Sequence, residues 1–183
     1  IETDKVSMAW LKKANEMDKA IVVSKHAKDT FTKARYSLGQ FSNSEPITYK
    51  CETPVEIVHY GVKNIVPTEL DLGLENDFNF LTVAQMGPRK NLENTVRWFV
   101  EEFINEEVGL VIKGHWMNNS LIDRRKMTQV LRDLLGKYED KKCSVHLLHG
   151  NMSDEEIHGL YIHPKIKAYI TATHGEGFGL PIF

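Results

Sequence analysis

The second half of the chain alternates short apolar runs with segments of helical periodicity. Four runs of five or six residues have the length and composition of buried strands, and they cover residues 80–84, 109–114, 144–148 and 168–172. A segment with helical spacing separates each run from the next. This alternation predicts βαβ units, so we expect an α/β fold with a parallel sheet and right-handed crossovers.

Three amphipathic segments connect these strands. The first follows Asn91, a residue type that caps helices well, and repeats apolar residues from 92 to 103. The second covers about residues 121–138. The third opens with Ser153 and Glu156, the two side chains of a capping box. Their apolar residues recur every three or four positions, which predicts one buried face on each helix.

The first 62 residues have a less regular pattern. A buried strand is predicted at 20–23, followed by a helix that Ser24 caps, and another strand is predicted at 55–59. Pro67, Gly73 and several acidic residues mark residues 63–77 as a linker. We therefore divide the chain into residues 1–62, a linker at 63–77 and an α/β domain at 78–183.

Composition limits the kinds of partner that the chain is expected to have. A formal net charge of −2 argues against general nucleic-acid binding. Cys51 and Cys143 fit no zinc or redox motif, so we expect the reduced thiols of a cytoplasmic protein. No apolar run approaches the ~20 residues of a membrane helix, which leaves peripheral membrane association open.

Polar residues that follow the predicted strands are the candidates for chemistry. Ligands of open α/β sheets bind beyond the carboxyl ends of the strands, and Lys90, His115, Asn151 and Glu176 each follow a strand. Lys90 also precedes a helix, where its charge suits a phosphate; a solvated loop charge is the alternative. The loop at 149–152 either lines a nucleobase pocket or is a plain strand-to-helix turn.

The last ten residues carry the most informative motif. Glu176 lies between glycines soon after the fourth strand, where a carboxylate either binds a ligand or serves solubility alone. Gly177 and Gly179 let a ligand approach the backbone closely, and an ionised carboxylate accepts hydrogen bonds from hydroxyl groups. Pro181 suits the first turn of a helix. We therefore predict a strand-to-helix turn that binds a hydroxylated, anionic ligand.

Common cofactor and metal motifs are absent from the sequence. There is no Gly-x-x-x-x-Gly-Lys-Ser/Thr loop, and no Gly-x-Gly-x-x-Gly follows the first strand of the α/β domain. His146 and His149 are spaced like metal ligands, but a strand directs them to opposite faces, so we expect no metal there.

Taken together, these segments resemble the retaining GT-B glycosyltransferases of the "group 1" class. The matching stretches run in the family order over nearly the whole chain, at residues 18–24, 55–62, 83–91, 153–161 and 173–181. The last of them, Thr-His-Gly-Glu-Gly-Phe-Gly-Leu-Pro, is the most specific. Many members have an arginine shortly before the lysine, at about the place of Gln85.

The resemblance implies an incomplete GT-B fold. Residues 1–62 would be the end of an N-terminal Rossmann-like acceptor domain, and residues 78–183 a truncated donor-binding domain. Lys90, assisted by Arg89, would hold the donor diphosphate, and Glu176 would bind the donor sugar as the first glutamate of a Glu-x7-Glu pair. The second glutamate would follow Phe183. The other implied donor contacts are Gly177, Phe178, Gly179, Leu180, Asn151 and Met152.

The activity implied by the resemblance is transfer of a hexose from a nucleotide diphosphate sugar, with retention and without a metal or other cofactor. The acceptor would be a glycan, a lipid or a small molecule, and nucleic acid is not expected as a partner. We expect this piece alone to be inactive, in the cytoplasm or at a membrane surface. The alternatives are a GT-B phosphorylase, a sugar-nucleotide epimerase, or a non-catalytic nucleotide-sugar-binding module.

Overall fold

The computed structural model describes residues 3–39, 47–177 and 179–182. Contacts divide the chain into a first unit, Ile1–Lys63, and a second unit, Asn64–Phe183. Within the described residues, no helix is both long enough and apolar enough to cross a bilayer.

The first unit contains two short helices and two small sheets. Its elements are α1 (Met8–Asn15), β1 (Ala20–Val22), α2 (Lys25–Thr32), β2 (Arg35–Ser37), β3 (Thr48–Lys50) and β4 (Val55–Ile57). β1 pairs with β4 in parallel, whereas β2 and β3 form an antiparallel pair that the sequence pattern did not predict. Ser24 caps α2 as predicted, because its Oγ accepts a hydrogen bond from the amide of Ala27.

The strand predicted at 20–23 is buried on one face only. Val22 is in the core of the first unit, but Ile21 is 65% exposed. Successive side chains of a strand point to opposite faces, so a run of apolar residues does not by itself bury both faces.

The second unit is built around a four-stranded parallel sheet, as predicted. Its elements are β5 (Asn79–Val83), α3 (Leu92–Glu102), β6 (Gly109–Lys113), α4 (Leu121–Leu135), β7 (Ser144–Leu148), α5 (Asp154–Ile162) and β8 (Ile166–Tyr169). The strand order is β7-β6-β5-β8, and every neighbouring pair is parallel. The chain moves away from β5 in one direction and returns on its other side with β8, so the loops after β5 and β8 are neighbours.

Apolar side chains cover both faces of this sheet. On one face, Leu110 and Ile112 of β6 pack with α3 and α4, and Val96 and Met127 are fully buried there. On the other face, Val111 packs with α5 and with residues of the 70–74 segment. The sheet is therefore the middle layer of three, and its carboxyl edge is the open end at which the loops gather.

Residues 64–77, which are all but the first residue of the linker predicted at 63–77, form neither helix nor strand, and they run along the second unit. The amide of Thr68 donates to the carbonyl of Glu155 at 3.0 Å, and the side chain of Leu74 is buried. Gly159 of α5 lies against this segment so closely that a Cβ there would be 2.2 Å from the carbonyl oxygen of Thr68.

Three details near the site differ from the sequence predictions. Asn91 precedes α3 with a left-handed φ of 53° and makes no side-chain capping bond, because its Oδ1 accepts from Nδ2 of Asn94 while its Nδ2 donates to the carbonyl of Ala172. The helix expected to reach residue 138 ends at Leu135. Pro181 lies in a turn closed by a bond from the amide of Ile182 to the carbonyl of Gly179, rather than in a helix.

Candidate functional site

Two loops at the carboxyl edge of the sheet bring a cation and a carboxylate into contact. Lys90, in the turn after β5, donates a hydrogen bond from its Nζ to Oε1 of Glu176, in the loop after β8. Their side chains are only 15% and 18% exposed. Arg89 Nη1 lies 3.6 Å from the other carboxylate oxygen and is half exposed. The strand order explains the meeting, because β5 and β8 are adjacent.

Backbone hydrogen bonds fix these two loops to each other. The carbonyl of Arg89 accepts from the amide of His174 at 2.9 Å and from Oγ1 of Thr173 at 3.1 Å. The guanidinium of Arg89 donates to the carbonyl of Gly175 at 2.6 Å. Hydrogen bonds between the two loops therefore hold Lys90 and Glu176 close to each other.

The electrostatics of these two loops keep Glu176 ionised. Partial burial by itself would raise the pKa of Glu176, but the hydrogen bond from Lys90 and the charges of Lys90 and Arg89 hold that pKa below its ordinary value. An ionised carboxylate is a pure hydrogen-bond acceptor, so Glu176 is suited to ligand hydroxyl groups rather than to proton donation.

A cavity of about 280 Å³ opens beside Lys90. The loops that follow β5, β6 and β7 form its walls, together with the start of α5 and Pro181. Its lining residues are Val83, Ala84, Gln85, Lys90, Lys113, Gly114, His115, Asn119, Gly150, Asn151, Met152, Ile157 and Pro181. Polar groups thus converge on one concave surface, which is the usual form of a small-molecule site.

A buried pair connects two of the loops that line this cavity. Asp123, in the first turn of α4, accepts hydrogen bonds from the amides of residues 116–118 at 2.6 to 3.1 Å. It also accepts one from Nε2 of His149 at 2.8 Å, and both side chains are almost completely buried. Burial would raise the pKa of Asp123, but these four bonds hold it well below its usual range. The loops after β6 and β7 are therefore tied to one carboxylate.

Comparison with solved structures identifies the fold. The chain matches OtsA in its apo form with a TM-score of 0.55, 11% identity and coverage of 92% of this chain. It matches a trehalose-6-phosphate structure from E. coli bound with UDP-2-fluoro glucose with a TM-score of 0.57, 11% identity and 92% coverage. The fold is that of the GT-B glycosyltransferases.

A third solved structure and the coverage values show how much of the matched proteins this chain represents. A trehalose-6-phosphate synthase structure studied with bisubstrate glycomimetics matches the chain with a TM-score of 0.53 and 11% identity over 92% of the chain. The chain spans about two fifths of these structures, covering 42% of OtsA and 43% of the UDP-2-fluoro glucose structure. No family model matches the sequence. No curated protein matches it either.

Within this GT-B fold, the residues selected from the sequence lie in three places. Lys90, Asn151 and Met152 line the cavity, and Asn119 donates a side-chain hydrogen bond to Asn151 at its rim. Arg89, Glu176 and Gly177 belong to the adjoining loops. Leu180 is 72% exposed and lines a neighbouring groove instead. Gly179 closes the last turn with a positive φ of 81°, and Phe178 lies outside the described residues. The roles assigned to these residues stay predictions.

Two residues of the site were missed in the sequence. Asp123 stands three positions after Ser120, whose Oγ caps α4, and that Ser-x-x-Asp spacing is the available signal. Lys113 ends the apolar strand β6, where a charged residue next to four buried ones is itself unusual. Among the residues that the structure describes, no cluster of three or more His, Cys, Asp or Glu side chains could hold a metal ion.

Proposed function

We propose that this chain is the donor-binding part of a retaining glycosyltransferase, which transfers a hexose from a nucleotide diphosphate sugar to an acceptor hydroxyl. The observation that carries the proposal is the contact of the Lys90 ammonium with the Glu176 carboxylate, beside a polar cavity at the carboxyl edge of the sheet. A donor of this class has an anionic diphosphate next to a hydroxylated ring, and the site offers a cation next to an acceptor-only carboxylate.

The roles follow from the charges. Lys90, with Arg89, binds the diphosphate oxygens and stabilises the negative charge that grows on them as the bond from the sugar C1 to oxygen breaks. The electron pair of that bond stays on the phosphate. The acceptor oxygen bonds to C1 on the same face and loses its proton to the departing phosphate. Glu176 orients the sugar by accepting hydrogen bonds from its hydroxyl groups, and no metal takes part.

The nucleotide end of the donor is assigned to the cavity beyond Lys90. Asn151 and Met152 form one wall of it, and their position is held by the bond of His149 to Asp123. The fold-level likeness supports this assignment by analogy, since one matched structure is bound with UDP-2-fluoro glucose. Another concerns glycosyl transfer with retention by trehalose-6-phosphate synthase, which supports the stereochemistry proposed here.

Donor binding is tested by thermal unfolding of the 183-residue chain with UDP-, GDP- and ADP-glucose. A ligand that binds only the native state raises the midpoint, so one of the three is expected to do so in a concentration-dependent way. Lys90→Ala is expected to abolish that shift. Glu176→Ala is expected to reduce the shift given by the nucleotide sugar to that given by its free nucleotide, and Lys165→Ala, at the opposite edge of the sheet, is expected to leave the shift unchanged. Absence of a shift with all three sugars, and with their free nucleotides, would contradict the proposal.

Transfer itself is tested in a protein that joins this chain to the remaining parts of both GT-B domains. A radiolabelled donor is incubated with candidate acceptors, and the labelled product is analysed for its bond and anomer. A retained glycoside supports transfer, whereas a free sugar phosphate or an epimerised nucleotide sugar would assign the site to the phosphorylase or epimerase class instead.

A further inference from the structure

The cavity contains a second buried cation that the proposed function has not used. Lys113 is the last residue of β6, one of the two interior strands of the sheet. The other four residues of β6 are also buried, and Lys113 is 8% exposed. Its Nζ donates a hydrogen bond to the carbonyl of Gly150, at the start of the loop after β7. Lys113 and Lys90 both line the cavity, Lys113 from the end of β6 and Lys90 from the turn after the adjacent strand β5.

The positive charge of Lys113 has no ion-pair partner in the described part of the chain. No carboxylate oxygen there lies within ion-pair distance of its Nζ, and the nearby Glu156 is occupied by the amide of Ser153 in the capping box of α5. A single backbone carbonyl offsets only part of a buried ammonium, and burial lowers the pKa of Lys113 for this reason. Lys90 differs, because Glu176 neutralises it.

We propose that Lys113 is a second phosphate-binding residue, which donates to the diphosphate of the donor together with Lys90. This inference rests on the proposed function and adds Lys113 to the residues that bind the donor diphosphate. An anion that enters the cavity can contact the Lys90 ammonium, which is already paired with a carboxylate, and the Lys113 ammonium, which is bonded only to a backbone carbonyl. The bond from the anion to Lys113 is expected to be the more favourable of the two, because the charge of Lys113 is otherwise desolvated and unpaired.

A purely structural role for Lys113 makes a different prediction. If the lysine only fixes the loop at residue 150, removing its hydrogen bond should disturb the nucleoside wall of the cavity as well as the phosphate end. Lys113→Gln retains an N–H donor for the Gly150 carbonyl but removes the charge, and Lys113→Met removes both. Lys165→Met is a matched control, because Lys165 also donates to a backbone carbonyl, that of Leu74 at 2.8 Å, but lies outside the cavity.

The experiment measures dissociation constants of the chain for inorganic pyrophosphate, for UDP, GDP and ADP, and for uridine, guanosine and adenosine. We expect Lys113→Gln and Lys113→Met to weaken binding of pyrophosphate and of the preferred nucleoside diphosphate by about 10- to 100-fold, the worth of one charge-assisted hydrogen bond. Binding of the matching nucleoside should change less than about twofold in Lys113→Gln. Circular dichroism and urea unfolding of each variant confirm that it folds.

The outcomes separate the two proposals. If wild-type chain binds a nucleoside diphosphate and Lys113→Gln binds it equally well, the role of Lys113 is refuted and the proposed function stands. Equal losses for nucleoside and diphosphate in Lys113→Gln would also refute it, in favour of a structural role. If wild-type chain binds none of the pyrophosphate and nucleotide probes, the proposed function fails and this inference fails with it.

Discussion

Removing the carboxylate of Glu176 is expected to affect the two ends of the donor in opposite directions. Glu176→Gln takes away the acceptor for sugar hydroxyls, so transfer should be lost. The same change releases the Lys90 ammonium from its ion pair and removes the negative charge beside the phosphate position. We therefore predict that Glu176→Gln binds inorganic pyrophosphate more tightly than wild type does.

The size of the gain follows from the geometry of the pair. A phosphate oxygen and a carboxylate oxygen bonded to one ammonium are about 5 Å apart, and their repulsion at an effective dielectric constant of about 20 is about 3 kcal/mol. Glu176 and Lys90 remain 18% and 15% exposed, so water screens part of that repulsion. We expect about 1 to 1.4 kcal/mol to remain, which corresponds to about 5- to 10-fold tighter binding.

Isothermal titration calorimetry with pyrophosphate at constant ionic strength measures this gain, with wild type, Glu176→Gln and Lys90→Met compared in parallel. The Arg89 side chain, 3.6 Å from the same carboxylate, is left unchanged in all three. Unchanged or weaker pyrophosphate binding in a folded Glu176→Gln variant would refute the reasoning, because it would mean that the anion does not compete with Glu176 for Lys90. A gain for the nucleoside alone would refute it equally.

Three further changes test the frame around the site. Lys90→Met should weaken pyrophosphate binding about tenfold or more by calorimetry, since it removes a charge-assisted bond. Asp123 has a lowered pKa in the folded chain, so the stability that it contributes is present above its unfolded pKa of about 3.9 and is lost progressively as the pH falls. Asp123→Asn should therefore lower the free energy of unfolding in urea at pH 7 and reduce the further loss of stability below about pH 4. In Gly114→Ala, a Cβ would lie 2.3 Å from the carbonyl oxygen of Ala84, so urea unfolding should show a loss of about 1 to 3 kcal/mol that Gly87→Ala, which has open space, does not show.

The part of this structure that the sequence predicted well is the part governed by local patterns. The four strands of the second unit were expected from apolar runs, although the fourth, predicted at 168–172, forms at Ile166–Tyr169. The capping box of Ser153 and Glu156 forms as predicted. The meeting of the loops after β5 and β8 was also expected, because parallel strands place their carboxyl ends on one edge. Each of these features follows from residues close together in the sequence or from the general geometry of parallel sheets.

The features that the sequence did not predict depend on contacts between distant residues. The loop at 149–152 was assigned to the wall of a nucleobase pocket or to a plain turn. Gly150, Asn151 and Met152 line the cavity, whereas His149 is buried against Asp123, 26 positions earlier, which accepts its hydrogen bond. Asn91 does not cap α3, because the carbonyl of Ala172, 81 positions away, accepts from its Nδ2 and Asn94 donates to its Oδ1. The local sequence around His149 or Asn91 cannot reveal these hydrogen bonds, because the folded sheet alone brings their partners, Asp123 and Ala172, close to them.

The charges around the cavity favour the proposed anion binding, although the formal net charge of the chain is −2. Of the described side chains that line the cavity or touch Lys90 and Glu176, three carry a full positive charge, those of Arg89, Lys90 and Lys113, and one carries a negative charge, that of Glu176. The local charge balance is thus opposite in sign to that of the whole chain, and two of these cations line a concave surface, where the field of like charges is focused. A ligand with two ionised phosphates would neutralise this excess, and a ligand with a single carboxylate would leave one buried ammonium unpaired. The charge on the ligand, rather than the shape of the cavity, is therefore the property by which this site is expected to distinguish a nucleoside diphosphate from other hydroxylated molecules.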